Sequence, residues 1–397
     1  MTARTLSTDD LSTPAGRIAT VRRLATSVVR DAADDVDRAG RFPAEAIAAL
    51  RQARLLSAMV PAEQGGYGAR LDELAAQCEL LGGACASTGM IYAMHQIQVA
   101  CLVRHGLPQP FFRDYLVQLS EQQRLIASVT SEAGVGGSVR TSISPVERGP
   151  EGCTFRKDGT VVSYGAEAQD LLTTVRRAAD APASDQVLVL TCGDQHQMKL
   201  TGTWDSLGMR GTCSPAYEVR ATFPEAQIVP AHFADILSHT MLPFAHVLWG
   251  SVWLGIANDA VARARAWLRS VARQMPGQTP PAAFRFAEVS AQLQMMRALV
   301  HDAARRYGAL LDSGDRNMLS SVGFGLSMSE VKISASRMVV EIVTAALRVC
   351  GTNGYRNDSP YSIGRHLRDA HSAALMIGND RILSSNAPMH LAFKDEQ

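Results

Sequence analysis

The stretch RVCGTNGYRNDSPYSIGRHLRDAHSAALMIGNDRIL, residues 348–383, joins the last two helical patterns of the chain. Gly, Asn, Asp, Ser and Pro crowd residues 351–362, the composition of a connection between helices. A helical pattern resumes near His366 and runs to about Leu391, with one oddity. Arg368, Asp369 and His371 sit on its first turn and Ala373 to Ile377 form an apolar run. Gly378-Asn379-Asp380 then interrupts before Ile382 and Leu383. A glycine inside a helix costs about 1 kcal/mol relative to alanine. Either the helix ends early, or something must approach its backbone.

Upstream, three more helical patterns cover roughly 242–272, 283–313 and 319–350. With 366–392 they make four segments of similar length, as in an antiparallel four-helix bundle. Residues 126–229 differ. CTFRKDGTVVSY carries Asp158-Gly159, a hairpin signal, and DLLTTVRR, QVLVLTC, MKLTGTW and AYEVRATF read as further strands. A small antiparallel barrel or sandwich is expected there. The first third is helical again: Ile18, Val21, Leu24, Ala25, Val28, Val29 and Ala32 recur at helical spacing, and Pro43 begins a second helix. The expected fold is therefore mainly α with a β middle domain, divided at 1–125, 126–235 and 236–397.

The 397 residues exceed what one small core needs. A net charge of +1 gives no reason to expect nucleic acid or an anionic membrane as partner. Seven cysteines, an odd number without any C-x-x-C, fit free thiols in a reducing cytoplasm. The most apolar region, Met241 to Val261, is broken by Pro243, His246, Ser251, Asn258 and Asp259, which suits a helix buried in a bundle.

Phosphate-loop, zinc-protease and nucleophile-elbow motifs are missing. EAGVGGS (132–138) is glycine-rich without a following helix: either a plain turn, or a loop whose backbone N–H groups approach a ligand. His95 and His246 lie in apolar helices, where a lone histidine is ordinarily a hydrogen-bonded core residue. No histidine pair has metal-ligand spacing with a carboxylate, so no metal is expected.

The order of helical unit, β unit and four-helix bundle resembles the acyl-CoA dehydrogenase superfamily over nearly the whole chain. SVTSEAGVGGS is similar to its T-E-P-x-x-G-S loop, and TVVSYGAEAQD to its W-I-T-N strand. WDSLGMRGTCSPAYEVRATFPEAQIVP resembles its L-G-x-R-x-S-x-T segment, and the opening stretch its Q-x-x-G-G-x-G-Y…R-D-A segment. The resemblance implies FAD or FMN between the β unit and the bundle. It places Val129, Thr130 and Ser131 at the isoalloxazine and Ser163 near flavin N5. Arg273 would reach the pyrophosphate of a neighbouring subunit's flavin, although the usual phenylalanine companion is replaced by Pro276. Arg348, Gly351 and Gly354 fall on the adenosine-side loop, and Asn379 on a further flavin contact. A homodimer or dimer of dimers follows, also because the bundle helices are apolar on more than one face.

The family's catalytic glutamate precedes the glycine of a Y-E-G-T segment; here Met376-Ile377-Gly378-Asn379 stands there. The alternative glutamate position of some members falls at Ala245, beside His246. Both are apolar, and removal of an α-proton needs a base within reach. Three readings remain: a dehydrogenase of acyl-CoA or acyl-carrier thioesters with a relocated base (His246, His95 or Asp380), a non-catalytic flavin-binding relative, or a monooxygenase. The last, using O₂ and flavin reduced by a separate reductase, is favoured. In it Ser163, His95 and His246 would be the catalytic hydrogen-bonding groups. Displacement of the loop serine from Gly137 to Ser138 also weakens the thioester reading. Tyr92, Phe244, Trp249 and Ile377 are the expected substrate pocket, with Met94 beside them, on a small aromatic or heteroaromatic substrate. Arg368 and Asp369 are read as a structural ion pair.

Overall fold

The computed structural model describes residues 11–392. Six helices come first: α1 (Pro14–Leu24), α2 (Arg30–Ala39), α3 (Ala44–Gln52), α4 (Leu71–Ala84), α5 (Ala86–His105) and α6 (Pro110–Gln122). Seven strands follow: β1 (Ile126–Val129), β2 (Glu147–Gly149), β3 (Gly152–Gly159), β4 (Asp170–Arg176), β5 (Gln186–Cys192), β6 (His196–Leu200) and β7 (Tyr217–Phe223). The chain then returns to helix: α7 (Phe233–Ile236), α8 (Leu242–Gln274), α9 (Ala282–Ser313), α10 (Arg316–Leu319), α11 (Val322–Cys350), α12 (Thr352–Tyr355), α13 (Gly364–His371) and α14 (Asn379–Ala392).

Helix α8 is the axle. Its first half is buried on every face from Pro243 to Ala257, because α4, α5, α9 and α11 surround it. The 233–274 segment is thus apolar enough to span a membrane by composition, but it is a core helix here. Two glycines permit the α4 crossing. A methyl group on Gly255 would stand 2.2 Å from the Glu79 carbonyl oxygen, and one on Gly82 2.5 Å from that of Val252. Backbone therefore meets backbone where the N-terminal helices join the bundle.

Three expectations need correction. The β unit is two sheets, β1-β4-β5 and β2-β3-β7-β6, and β1 runs parallel to β4, so the unit is not wholly antiparallel. Asp158-Gly159 is not a hairpin turn. Both residues finish β3, paired with Glu218 and Tyr217 of β7, and the turn lies at 149–152. The last helix is not continuous either. It stops at His371 and restarts at Asn379.

That interruption has a specific geometry. The Asn379 N–H reaches back to the Ala374 carbonyl (3.0 Å). Ile377, not Gly378, takes the left-handed conformation, with φ of 48°. A β-branched residue there is an outlier costing about 1–3 kcal/mol. Lys332 of α11 holds it: buried, its ammonium donates to the Ile377 carbonyl (2.8 Å) and to Asn379 Oδ1 (2.6 Å). Burial lowers that ammonium to about 8.

Two measurements probe these features. Lys332→Met should accelerate amide hydrogen exchange across 374–380 at least tenfold relative to the β sheets; unchanged exchange would mean that side-chain packing alone holds the turn. The second concerns pH. Burial pushes both His95 and His246 down to about 4, assisted at His246 by the Lys332 charge. A folded value below the unfolded one gives stability that is complete above about pH 6.5 and is lost as pH falls towards 4. By pH 5 the loss should be about 2 kcal/mol for each imidazole. Denaturant midpoints should fall more steeply below pH 6.5 than between 8 and 7, where the depressed Lys332 ammonium adds a shallow decline of the same sign, and His95→Gln, weaker at pH 8, should fall less steeply. Parallel declines would contradict this assignment.

Candidate functional site

A cavity of about 830 Å³ lies where the β unit meets the bundle. Its β wall starts where β1 ends. Ser128, Thr130 and Ser131 line it, and the Ser131 hydroxyl clips onto the 161–163 segment, donating to the Val161 carbonyl (2.8 Å) and accepting from its N–H (3.0 Å). Ser163 follows on the same wall. Its hydroxyl lies 2.9 Å from that of Ser214, which lies 2.8 Å from that of Thr212, which lies 2.8 Å from the Met209 carbonyl. The Ser214 proton can point to either neighbour, so Ser163 can offer the cavity a donor or an acceptor while Thr212 stays bound to the Met209 carbonyl.

The glycine loop closes the wall at Gly136 and Gly137. Its root is fixed by Glu132, buried, which accepts from Ser142 (2.7 Å), from the Ser144 N–H (2.9 Å) and hydroxyl (2.6 Å), and stands 3.4 Å from Lys157. Burial opposes ionisation of Glu132, but Lys157 and the serine hydroxyls outweigh it, so its carboxyl lies below the ordinary value. Trp204 also lines the wall, and its indole N–H is buried with no partner among the described residues.

The opposite wall is helical and apolar. It comprises Met90, Met94, Ile97 and Gln98 of α5, Ala245 and Trp249 of α8, and the 375–378 turn. The turn is located by a junction of three segments. A methyl group on Gly208 would come within 2.2 Å of the Arg368 carbonyl oxygen, so only glycine lets the 207–210 loop lie against α13. The Met209 N–H then donates to Asp369 Oδ1 (2.7 Å). Arg368 donates to Asp37 of α2 (2.8 Å), and Arg210 to the Asp37 carbonyl (2.8 Å). Burial raises the Asp369 carboxyl to about 6.

The structure brings together Thr130, Ser131, Ser163, Trp249 and Ile377, with Met94 and Asp380, around one cavity. Others lie elsewhere. His95 is outside the lining and both its ring nitrogens are used, Nε2 with the Leu56 carbonyl (2.7 Å) and Nδ1 with the Ile126 N–H (3.1 Å). It pins α5 to β1 and has no nitrogen left for catalysis. His246 is buried against the Met328 carbonyl (2.9 Å), also outside the lining. Tyr92 is hydrogen-bonded to Gln77, and Phe244 stands edge-on to Tyr307, both in the core rather than in the pocket. Val129 is buried behind the wall, and Asn379 serves Lys332. Arg273, Arg348 and Gly351 are exposed, and Gly354 is buried against Cys350, none of them lining the cavity. Arg368 and Asp369 do not pair with each other. Arg368 binds Asp37 and the Leu207 carbonyl, and Asp369 the Met209 N–H. Sequence reasoning missed Lys332, Trp204, Ser214 and Gln98. Trp204 and Ser214 lie within the quoted WDSLGMRGTCS segment, whereas Lys332 and Gln98 carry no motif.

Two sequence families match: acyl-CoA dehydrogenase, N-terminal domain, over residues 18–110, and acyl-CoA dehydrogenase, C-terminal domain, over residues 237–391. Cyclohexane-1-carbonyl-CoA dehydrogenase of Geobacter metallireducens is 26% identical over 380 residues, covering 91% of this chain and 93% of its own. Dibenzothiophene monooxygenase of Mycolicibacterium goodii is 25% identical over 337 residues, 80% of either chain. The crystal structure of FMN-bound TdsC from Paenibacillus sp. A11-2 superposes with a TM-score of 0.79 at 21% identity, covering 96% of this chain and 98% of that one. The chain belongs to the acyl-CoA dehydrogenase superfamily and is a flavin-dependent oxidoreductase of that fold.

Proposed function

We propose that this protein is a monooxygenase that takes up reduced flavin from a separate reductase and oxygenates a small aromatic or heteroaromatic substrate. The observation that carries this reading is the apolar lining where a base would stand. Ile377 and Ala245 occupy both family base positions and both line the cavity. Among the described lining residues the one carboxylate is Asp380, on the exposed first turn of α14. The thioester-binding position is weakened as well. Gly137 lines the cavity without a hydroxyl, while the Ser138 hydroxyl accepts from the Arg140 N–H (3.2 Å).

The β wall fits a flavin. Its buried, unpartnered Trp204 N–H and the Ser163 and Thr130 hydroxyls make a set of donors on one side of a largely apolar space. When bound, reduced flavin supplies two electrons to O₂, so that one oxygen atom enters the substrate and the other leaves as water. The chain's own work is to exclude bulk water with Met90, Met94, Ile97 and Trp249, and to hold a hydrogen bond at the cavity through Ser163, whose hydroxyl is set by Ser214 and Thr212. FMN is the favoured cofactor, since TdsC holds it in the same fold. Arg273, exposed and away from this cavity, is assigned to the phosphate of a neighbouring subunit's flavin in a homodimer or homotetramer, whereas Arg348 and Gly351, read as adenosine-side residues, have that role only if FAD is bound. A light-scattering mass of a single 42.7 kDa chain would remove that role.

A second reading, dehydrogenation of an acyl thioester with Asp380 as base, is favoured by the position of that carboxylate in the lining. The experiments separate the two. With reduced FMN and ¹⁸O₂, label should enter an aromatic product, and Ile377→Glu should not speed the reaction, since no α-proton is removed. Anaerobic bleaching of oxidised flavin by acyl-CoAs, slowed about a hundredfold by Asp380→Asn, would establish the second reading instead. Ser163→Ala and Ser214→Ala should each weaken FMN binding severalfold in a fluorescence titration. Unaltered affinity would place the flavin elsewhere.

A further inference from the structure

Gln98 is the one amide side chain in the cavity lining, set among Met90, Met94 and Ile97 on α5 and only 3% exposed. Its Nε2 donates to the Met94 carbonyl (3.3 Å), four residues back on the same helix. Flipping the amide would set two oxygens against each other, so the network assigns Oε1 as the open atom. That oxygen is buried and finds no hydrogen-bond partner among the described residues. A buried acceptor without a partner has lost the bond that water gave it in the unfolded chain, and such an atom requires an explanation.

The surroundings narrow the explanation. Met90, Met94, Met209, Met241 and Met376 all line the cavity. Thioether side chains adapt to irregular shapes and make favourable contacts with aromatic rings. An apolar ring would satisfy this wall but leave Gln98 unpaired. A ring that also carries a donor would satisfy both. We propose that Gln98 is the specificity-determining residue of this cavity and selects an aromatic substrate bearing an N–H or O–H donor. The inference rests on reading the cavity as the substrate site of a monooxygenase, and it deepens that reading by naming the substrate's polar feature.

The test uses two probes of closely similar shape, indole and benzothiophene, which differ in the ring N–H. Calorimetry is run on the full chain with and without FMN. Indole should bind about tenfold more tightly than benzothiophene, the effect of one buried hydrogen bond made or left unmade. Gln98→Leu should abolish that preference by weakening indole while leaving benzothiophene equal or tighter. Gln98→Glu keeps an acceptor and should retain the preference. A merely structural glutamine would change both affinities together. Equal affinities in the wild type, a parallel loss in Gln98→Leu, or no binding of either ring at millimolar concentration would each overturn the proposal. Binding is read without turnover. A preference for indole without oxygen transfer would sink the monooxygenase reading alone, whereas oxygenation of both rings with equal affinity would sink the role of Gln98 alone.

Discussion

The Asp369 carboxylate on the Met209 N–H is the contact on which the cavity depends. It ties α13 to the loop that carries Trp204 and leads on to Ser214. Beside it, Arg368 ties the same helix to Asp37 of α2, and Arg210 ties the loop to that aspartate's carbonyl. Three parts of the chain, far apart in sequence, thereby share one polar junction. A buried polar network of this kind is costly when half made and rigid when complete. The raised Asp369 carboxyl records the cost of burial. The cavity lies just beyond, so its shape is fixed by the junction rather than by the loops alone.

Strain gathers at the same place. Of the six non-glycine residues with positive φ among the described residues, Tyr164, Met209, Cys213 and Ile377 lie in or beside the segments lining the cavity. Each is held by specific bonds. The Tyr164 N–H donates to the Thr212 carbonyl (2.8 Å) and its hydroxyl to that of Ile126 (3.0 Å), and Lys332 grips the Ile377 carbonyl. Such conformations persist where the surroundings over-determine them. Here those surroundings are hydrogen bonds within the walls, so the chain sets the cavity's outline before any ligand arrives.

Fold and domain order were legible because they rest on periodicity and composition, which a single sequence displays. The β unit was legible as strands but not as topology. Nothing in ASV or LLTTV distinguishes a parallel from an antiparallel neighbour, and Asp158-Gly159 looks like a turn until Glu218 and Tyr217 pair with it. The site was legible where motifs touch it, at Thr130, Ser131, Ser163 and Ile377. It was illegible where function depends on burial. His95 and Tyr92 sit on α5, as Met94 and Gln98 do, yet the first two face the core and the last two the cavity. Helix α5 is buried on nearly all sides, so hydrophobic periodicity cannot tell its faces apart. Lys332 illustrates the same limit: nothing in the sequence marks it as buried, and only its partners across the fold give it a purpose.

The break at 372–378 shows how the fold changes its chemistry without changing its frame. A carboxylate at position 377 would face an apolar cavity, with the Lys332 charge already engaged by the residue's own carbonyl and by Asn379. Burial would raise that carboxyl and favour its neutral form. An isoleucine removes the desolvation cost and keeps the turn, since Lys332 binds main chain there rather than the side chain. The backbone geometry that presents residue 377 to the cavity is therefore held by Lys332 and not by the contacts of that residue's side chain. With a carboxylate gone from this position, the uncharged polar groups around the cavity include the serine and threonine hydroxyls of the β wall, the Trp204 N–H and the Gln98 amide, while Asp380 and His371 stand at its exposed edge. These uncharged groups cannot hold a negative charge at neutral pH. Such a set suits poorly a reaction that must begin by taking a proton from carbon.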